Sequence, residues 1–189
     1  HGLNASGRAP QAWTLERFAG RDRMPTLGWD AVTVPGAVSG WAALSERFGR
    51  LPMTRLVEAA AQYARDGFPV SPQAAASWQR AMQRYEGYPQ WQQTFCPAGR
   101  PPRTGERFAC PEQADTLEAI AASGGADFYE GALAERIVAS AAEAGAALTA
   151  EDLASHAPAW VDPLSMQYRD RTLHELPPNG QGLVPLVGA

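Results

Sequence analysis

Three histidines and two cysteines have the side-chain chemistry to bind a metal, namely His1, His156, His174, Cys96 and Cys110. Zinc ligands usually come in pairs a few residues apart, and these five residues do not have that spacing. We therefore interpret the histidines as isolated surface side chains and predict no metal site. Cys96 and Cys110 lie in a proline-rich segment, where a loop-closing disulfide and two free thiols are both compatible with the sequence.

Nucleophilic and phosphate-binding motifs are absent from the sequence. There is no Gly-x-Ser-x-Gly elbow of the kind that exposes a catalytic serine. The pair Gly124-Gly125 follows an apolar helical pattern, so it ends a helix, whereas a phosphate-binding loop would begin one. The acidic residues fall at predicted helix starts and on solvated helix faces. From the residues alone, no catalytic side chain is assigned within this chain.

The segment 88–111 is rich in proline, which disfavours a regular helix or a central strand, so we predict a loop. Aromatic residues lie in and just before this loop. They could stack on a sugar or aryl ligand, or they could pin the loop to neighbouring helices, and we favour the second interpretation. The residues concerned are Trp78, Tyr85, Tyr88, Trp91 and Phe95.

Five helices are predicted between residues 37 and 155. The first covers 37–48 and carries an apolar stripe of Ala37, Trp41, Leu44 and Phe48. The second opens at Pro52 and ends at Gly67, and the third starts at the N-cap Ser71. Asp115 is predicted to cap the fourth helix, and the fifth follows residues 128–131. A capping box of Thr149 and Asp152 then begins a further short turn, with Leu153 directed inward.

The last part of the chain is predicted to form a β-hairpin over about residues 160–176. Leu164, Met166 and Tyr168 alternate with polar residues, which is the period-two pattern of a strand. The chain reverses at residues 169–171, where Asp170 best tolerates a turn conformation. This hairpin and the preceding helices predict an α+β fold.

Length and charge limit the remaining possibilities. The chain has 189 residues, of which 45% are hydrophobic, and this is enough for a single domain with its own core. A net charge of −4 argues against a nucleic-acid or anionic-membrane surface. No apolar run approaches the roughly 20 residues that span a bilayer. We therefore predict neither nucleic-acid binding nor membrane insertion.

The order of several segments resembles the large-subunit region of the gamma-glutamyltranspeptidase family over essentially the whole chain. This family consists of N-terminal-nucleophile hydrolases with a four-layer αββα sandwich, of which the present chain would supply a mostly helical piece. The form PPNGQG at 177–182 is similar to the acylase-like branch of the family. The segments are VPG at 34–36, GW at 40–41, RFGRLP at 47–52, ARDGFPV at 64–70, ADFYEGALA at 126–134, LTAEDL at 148–153 and LPPNGQG at 176–182.

The resemblance also implies a substrate-binding residue near the start of the chain. The family has an Arg-Glu-x-Ala-Pro motif whose arginine pairs with the α-carboxylate of the glutamyl substrate. Aligning Ala9-Pro10 with this motif puts Ser6 at the arginine position and leaves Arg8 two positions away. A guanidinium group can grip a carboxylate with two parallel hydrogen bonds, and a serine cannot. Either Arg8 binds the substrate after a shift of the loop, or it is an ordinary surface arginine.

The resemblance implies amide hydrolysis or acyl transfer through an acyl-threonine intermediate, without metal or cofactor. The threonine, freed by self-cleavage, would act with its own amine as base. Thr172 lies inside a predicted strand and lacks that context, so we expect the nucleophile beyond Ala189, on a small subunit of the same precursor, and expect this chain alone to be inactive.

Gamma-glutamyl compounds are the default substrates. The alternatives are an acylase acting on other amides and a non-catalytic helical binding module. Alone, the chain is expected to expose apolar faces and to form a homo-oligomer or be marginally stable.

Overall fold

The computed structural model describes residues 1–188, in which helices alternate with short strands. The helices are α1 Ala37–Phe48, α2 Met53–Asp66, α3 Pro72–Arg84, α4 Pro89–Phe95, α5 Pro111–Ala122, α6 Ala126–Glu130, α7 Ala132–Glu143, α8 Ala150–Ala154 and α9 Leu183–Gly188. The strands are β1 Gly2–Asn4, β2 Phe68–Pro69, β3 Arg107–Phe108, β4 Ala159–Val161, β5 Leu164–Tyr168 and β6 Arg171–Glu175. This mixture of helices and small sheets is the predicted α+β class.

The described chain divides into two compact units, one formed by residues 1–52 with 123–188 and the other by residues 53–122. The prediction of a single domain over residues 1–189 stays a prediction. In the first unit, α8 packs on α6 and α7, and Leu153 at the centre of this packing is 0% exposed. Strand β1 pairs antiparallel with β4, which brings the start of the chain next to residues 159–161.

Helix α1 has the predicted bounds but buries a different face. Its buried residues are Val38, Ser39 and Gly40, whereas the predicted stripe is exposed, with Trp41 48% and Phe48 53% accessible. The buried face is made of small residues because the backbone of α1 lies close to the chain start. A Cβ atom on Gly40 would lie 3.1 Å from the Cβ atom of Ala5. Within this chain the apolar stripe of α1 is therefore exposed, in agreement with the expectation that the chain alone exposes apolar faces.

The second unit is built on the packing of α2 along α5. Ala61 of α2 and Ala114 and Ile120 of α5 are buried. The predicted cap at Asp115 is wrong, because α5 already begins at Pro111. Inside the helix, the Asp115 carboxylate instead accepts a hydrogen bond from Arg65 Nη2 at 3.0 Å.

The proline-rich segment is more regular than predicted. Pro89 stands in the first turn of α4, where the missing N–H of a proline costs nothing, so it starts a helix. Phe108 in β3 pairs with Phe68 in β2, and its ring lies 4.8 Å from that of Trp78. The ring of Trp91 lies 5.3 Å from that of Phe95. The contact of Trp78 with Phe108 ties β3 to α3, as the second interpretation predicts, whereas the contact of Trp91 with Phe95 lies within the segment itself.

Strands β5 and β6 form the predicted hairpin, with Met166 opposite Leu173 and Tyr168 opposite Arg171. The residue with positive φ in its turn is Arg169, at 51°, and not Asp170. Helix α9 contacts both strands. Cys96 is buried and Cys110 partly exposed, and both are free thiols, so no disulfide closes the segment between them.

Candidate functional site

A cavity of about 350 Å³ lies in the first unit, between the start of the chain and α8. Both Ser6 and Arg8 line it, so the position aligned with the family's arginine and the nearest cation face the same space. Arg8 is exposed, and its guanidinium forms no hydrogen bond or ion pair with residues 1–188. The remaining lining residues are Ala9, Gln11, Val34, Asp152, Ser155, His156 and Ala157.

The loop that carries Arg8 rests directly on residues 34–36. The amide of Val34 donates a hydrogen bond to the carbonyl oxygen of Arg8 at 3.0 Å. A Cβ atom on Gly7 would overlap the carbonyl oxygen of Val34, and one on Gly36 would overlap that of Ala5. Glycine is needed at both positions because the two backbones touch there. The two glycines therefore allow the backbone contact that fixes the position of the Arg8 loop at the cavity.

Asp152 holds the other side of this loop. Its Oδ2 accepts hydrogen bonds from the amide and hydroxyl of Thr149, both at 2.9 Å, and this is the predicted capping box of α8. Its Oδ1 accepts from the amide of Gln11 at 2.8 Å. The side chain thus ties the chain just after Arg8 to the start of α8. The capping box was readable from the sequence, whereas the bond across 141 positions was not.

His156 is half-buried in a polar network and is not the isolated surface histidine predicted from the sequence. Its Nε2 lies 2.9 Å from the Oγ of Ser39. The hydroxyl of Ser39 also lies 2.7 Å from the carbonyl oxygen of Gly36, which can only accept. We assign the single hydroxyl proton of Ser39 to Gly36, and with this assignment His156 donates its Nε2–H to Ser39. Burial disfavours the charged imidazolium and lowers the pKa of His156, so the neutral ring is favoured.

Tyr129 completes this network. Its hydroxyl donates to the carbonyl oxygen of Pro35 at 2.8 Å and accepts from the amide of Ser39 at 3.0 Å. The ring of Tyr129 also stacks on that of His156, with centroids 5.3 Å apart. The carbonyl groups of Pro35 and Gly36 are thus both bound by side chains of one connected set. We call Ser39, Tyr129 and His156 the carbonyl-binding network.

The direction of these hydrogen bonds limits what the site can do. In a serine–histidine nucleophile pair the hydroxyl donates its proton to the imidazole, and here the imidazole donates to the hydroxyl. With this tautomer Ser39 is not activated as a nucleophile. Thr172 lies within β6, where its hydroxyl donates to the side-chain amide oxygen of Gln167, Oε1, at 2.9 Å and not to a base. The cavity offers binding by a cation and by polar groups, together with the hydrogen-bonded carboxylate of Asp152.

Metal-binding clusters and membrane-spanning helices are not found within residues 1–188. No group of three or more His, Cys, Asp or Glu side chains in that range could hold a metal ion. No helix in the same range is both long and apolar enough to cross a bilayer.

The fold and the cavity define a polar binding site in which Ser39 and His156 are assigned to the hydrogen bonds that hold Gly36. The chain belongs to the gamma-glutamyltranspeptidase family, because the family model described as gamma-glutamyltranspeptidase matches residues 1–189. This confirms the resemblance seen in the sequence segments.

Two curated proteins and one crystal structure resemble the chain over nearly its whole length. The chain is 37% identical over 185 residues to the glutathione hydrolase-like YwrD proenzyme of Bacillus subtilis, covering 97% of this chain and 35% of that protein. It is 38% identical over 191 residues to the oxamate amidohydrolase proenzyme of Klebsiella pneumoniae, covering 98% and 36%. The crystal structure of cephalosporin acylase from Bacillus halodurans is 44% identical with a TM-score of 0.93, covering 97% of this chain and 36% of that one. The chain thus spans about a third of the length of these relatives.

Proposed function

We propose that the protein containing this chain hydrolyses or transfers the acyl group of an amide through an acyl-threonine intermediate. The nucleophile would lie outside residues 1–189, and the present chain would supply part of the acyl-binding site. Membership in the gamma-glutamyltranspeptidase family supports the reaction class. The observation that carries the proposal is Arg8, a guanidinium group that lines a cavity of about 350 Å³ and has no carboxylate partner among the described residues.

The proposed acyl group carries a carboxylate, which Arg8 would bind. A guanidinium can form two parallel, charge-assisted hydrogen bonds with a carboxylate, and these are stronger than neutral ones. The cavity contains one acidic side chain, Asp152, and both of its oxygens already accept hydrogen bonds from Gln11 and Thr149. No free carboxylate lines the cavity to pair with an α-ammonium group. Among dicarboxylic acyl groups, this favours a glutaryl-type group over a gamma-glutamyl group.

A gamma-glutamyl substrate is the second candidate. It is favoured by the 37% identity to a protein named glutathione hydrolase-like, and an ammonium site could be built by residues outside this chain. The acylase candidate is favoured by the 44% identity to cephalosporin acylase. Both candidates use Arg8 for a carboxylate and differ in whether an amine is recognised as well.

We also propose that the chain pairs with a second segment of the same precursor. The two curated relatives compared above are both named proenzymes. The second segment would carry the threonine and complete the site around Arg8. The partner is thus a product of the same gene, and the ligand is a small acyl amide.

The test compares three anilides, glutaryl, gamma-glutamyl and butyryl, with the full-length processed protein. We expect the glutaryl anilide to be hydrolysed with the highest kcat/KM. Arg8→Gln should raise KM for the glutaryl anilide by about tenfold or more, because a charge-assisted hydrogen bond is lost. KM for the butyryl anilide, which has no carboxylate, should stay the same.

Arg23→Gln is the matched control, because Arg23 is an exposed arginine of the first unit and does not line the cavity. Equal effects of the two substitutions would show that Arg8 is an ordinary surface arginine. Faster cleavage of the gamma-glutamyl anilide would favour the second candidate. Cleavage of none of the three would contradict the proposed function.

A further inference from the structure

The position of Arg8 at the cavity depends on residues 34–36, because the loop that contains Arg8 rests on them. The Val34 amide binds the Arg8 carbonyl, and the backbones touch at Gly7 and Gly36. A shift of residues 34–36 would therefore move the Arg8 loop with them. Contacts that hold residues 34–36 in place therefore also hold the loop from which the Arg8 guanidinium faces the cavity.

The carbonyl-binding network holds residues 34–36 in place. Tyr129 holds the carbonyl group of Pro35, and Ser39 holds that of Gly36. His156 lies two residues after the end of α8, at Ala154, and donates to Ser39 of α1. It therefore connects the α8 side of the cavity to the residues that hold 34–36. A Cβ atom on Gly36 would also lie 3.1 Å from Cε1 of His156, so the ring lies directly against this backbone. Residues 34–36 are thus held between α1 and the segment that follows α8.

We propose that His156 is a positioning residue for Arg8, acting through Ser39 and the backbone of residues 34–36. This inference rests on the proposed function, in which Arg8 binds the carboxylate of the acyl group. The imidazole does not touch the reacting amide in this scheme. It keeps the guanidinium at the place where both of its hydrogen bonds to the carboxylate can form, and small displacements weaken such paired bonds.

Three substitutions separate the hydrogen bond from the shape of the ring. His156→Phe keeps an aromatic ring against Tyr129 but removes the donor. His156→Gln keeps an amide N–H near the position of Nε2 but removes the ring. Ser39→Ala removes the acceptor of that N–H together with the donor to Gly36. His174→Phe is the control, because His174 is an exposed histidine on β6 and does not line the cavity.

We expect His156→Phe and Ser39→Ala in the full-length processed protein each to raise KM for the preferred anilide by about fivefold to tenfold, with kcat changed less than twofold. This pattern is expected because a carboxylate remote from the reacting bond contributes uniform binding. The double variant should be no worse than the stronger single one, since both remove the same connection. His156→Gln should restore most of the KM. A role in folding alone would lower the amount of active protein and leave the KM of the folded fraction unchanged.

A second measurement does not depend on activity. Hydrogen exchange of the Val34 amide, which donates to Arg8, should be faster in His156→Phe than in the unsubstituted protein and in His174→Phe. Unchanged exchange together with unchanged KM would overturn the inference while the unsubstituted protein still cleaves its anilide. If that protein cleaves no anilide, the proposed function fails, and the exchange experiment alone decides whether His156 positions residues 34–36.

Discussion

At the scale of single residues, Asp152 joins two parts of the first unit through one buried carboxylate. The residue is only 4% exposed, and a charge so buried needs hydrogen bonds to all its oxygens. Oδ1 accepts from the Gln11 amide, and Oδ2 accepts from the Thr149 amide and hydroxyl. Each oxygen therefore faces at least one backbone N–H, which cannot turn into an acceptor. An isosteric amide does not satisfy this arrangement.

Asp152→Asn is therefore expected to lower the free energy of unfolding by roughly 2–3 kcal/mol, since one amide hydrogen would point at an N–H donor in either orientation. Urea unfolding of the full-length protein measures this change. Glu151→Gln is the matched control, because it removes a charge from the same first turn of α8 at an exposed position. That control should change the free energy by less than about 0.5 kcal/mol. Equal losses for both substitutions would mean that helix-terminal charge, and not the hydrogen bonds, makes Asp152 matter.

The chemistry of the site was predictable from the sequence only where it is local. Thr149 and Asp152 are three positions apart, so the capping box follows from residue type and spacing. Ser39 and His156 are 117 positions apart, and only the fold brings their side chains to hydrogen-bonding distance. Neither residue stands in a motif that would single it out. Arg8 could be named only from the resemblance to the family.

At the scale of elements, the hydrophobic periodicity of the sequence predicts where helices lie but not which face of each helix is buried. The bounds of α1 follow from its pattern and from Gly49, yet its buried face is the one with small residues, Ser39 and Gly40. The sequence does not predict α4, because dense prolines disfavour a helix, whereas Pro89 stands in the first turn, where its missing N–H costs nothing. Strands β1 to β3 are only two or three residues long and pair with distant segments, so no alternation could reveal them.

The loop before β3 is held by a cluster around Glu106. Its two carboxylate oxygens bind the guanidinium of Arg100 at 2.8 and 2.9 Å, and Oε2 also accepts from the amide of Arg103. These hydrogen bonds, first that of Arg100 and then that of the Arg103 amide, lower the pKa of Glu106 to about 2. The cluster closes a turn in the segment that the aromatic side chains contact. It is half-exposed, so salt should weaken it.

Glu106→Gln is expected to make the loop around residues 97–106 more susceptible to limited proteolysis at neutral pH. Because the folded pKa lies below that of a free glutamate, Glu106 stabilises the folded state at and above pH 4.5, and this contribution is lost as the pH falls toward 2. The difference between the two proteins should therefore shrink below pH 4.5. Glu86→Gln, at an exposed site beside α3, should leave the cleavage rate unchanged. A difference as large at pH 2 as at neutral pH would contradict the assignment.

At the scale of the whole molecule, each unit exposes an apolar helix face. In the first unit Trp41, Leu44 and Phe48 lie along α1, with 48%, 47% and 53% of their surfaces accessible. In the second unit Leu56 and Tyr63 of α2 are more than half exposed. Side chains spaced at three and four positions form a continuous stripe on a helix, and such stripes are normally covered. We propose that the second segment of the precursor covers the stripe of α1.

Residues 1–189 produced alone should therefore self-associate at micromolar concentration, and co-production with the rest of the precursor should give a defined heterodimer. Sedimentation velocity distinguishes these states. Replacing both Trp41 and Leu44 by Gln should shift the isolated chain toward the monomer, because less apolar surface is left to bury between copies. Leu15→Gln is the control, since Leu15 is 90% exposed and lies away from α1 in the sequence. A compact monomer of the unsubstituted chain, or an equal shift with Leu15→Gln, would show that the α1 face needs no cover and would remove the physical reason for a partner there.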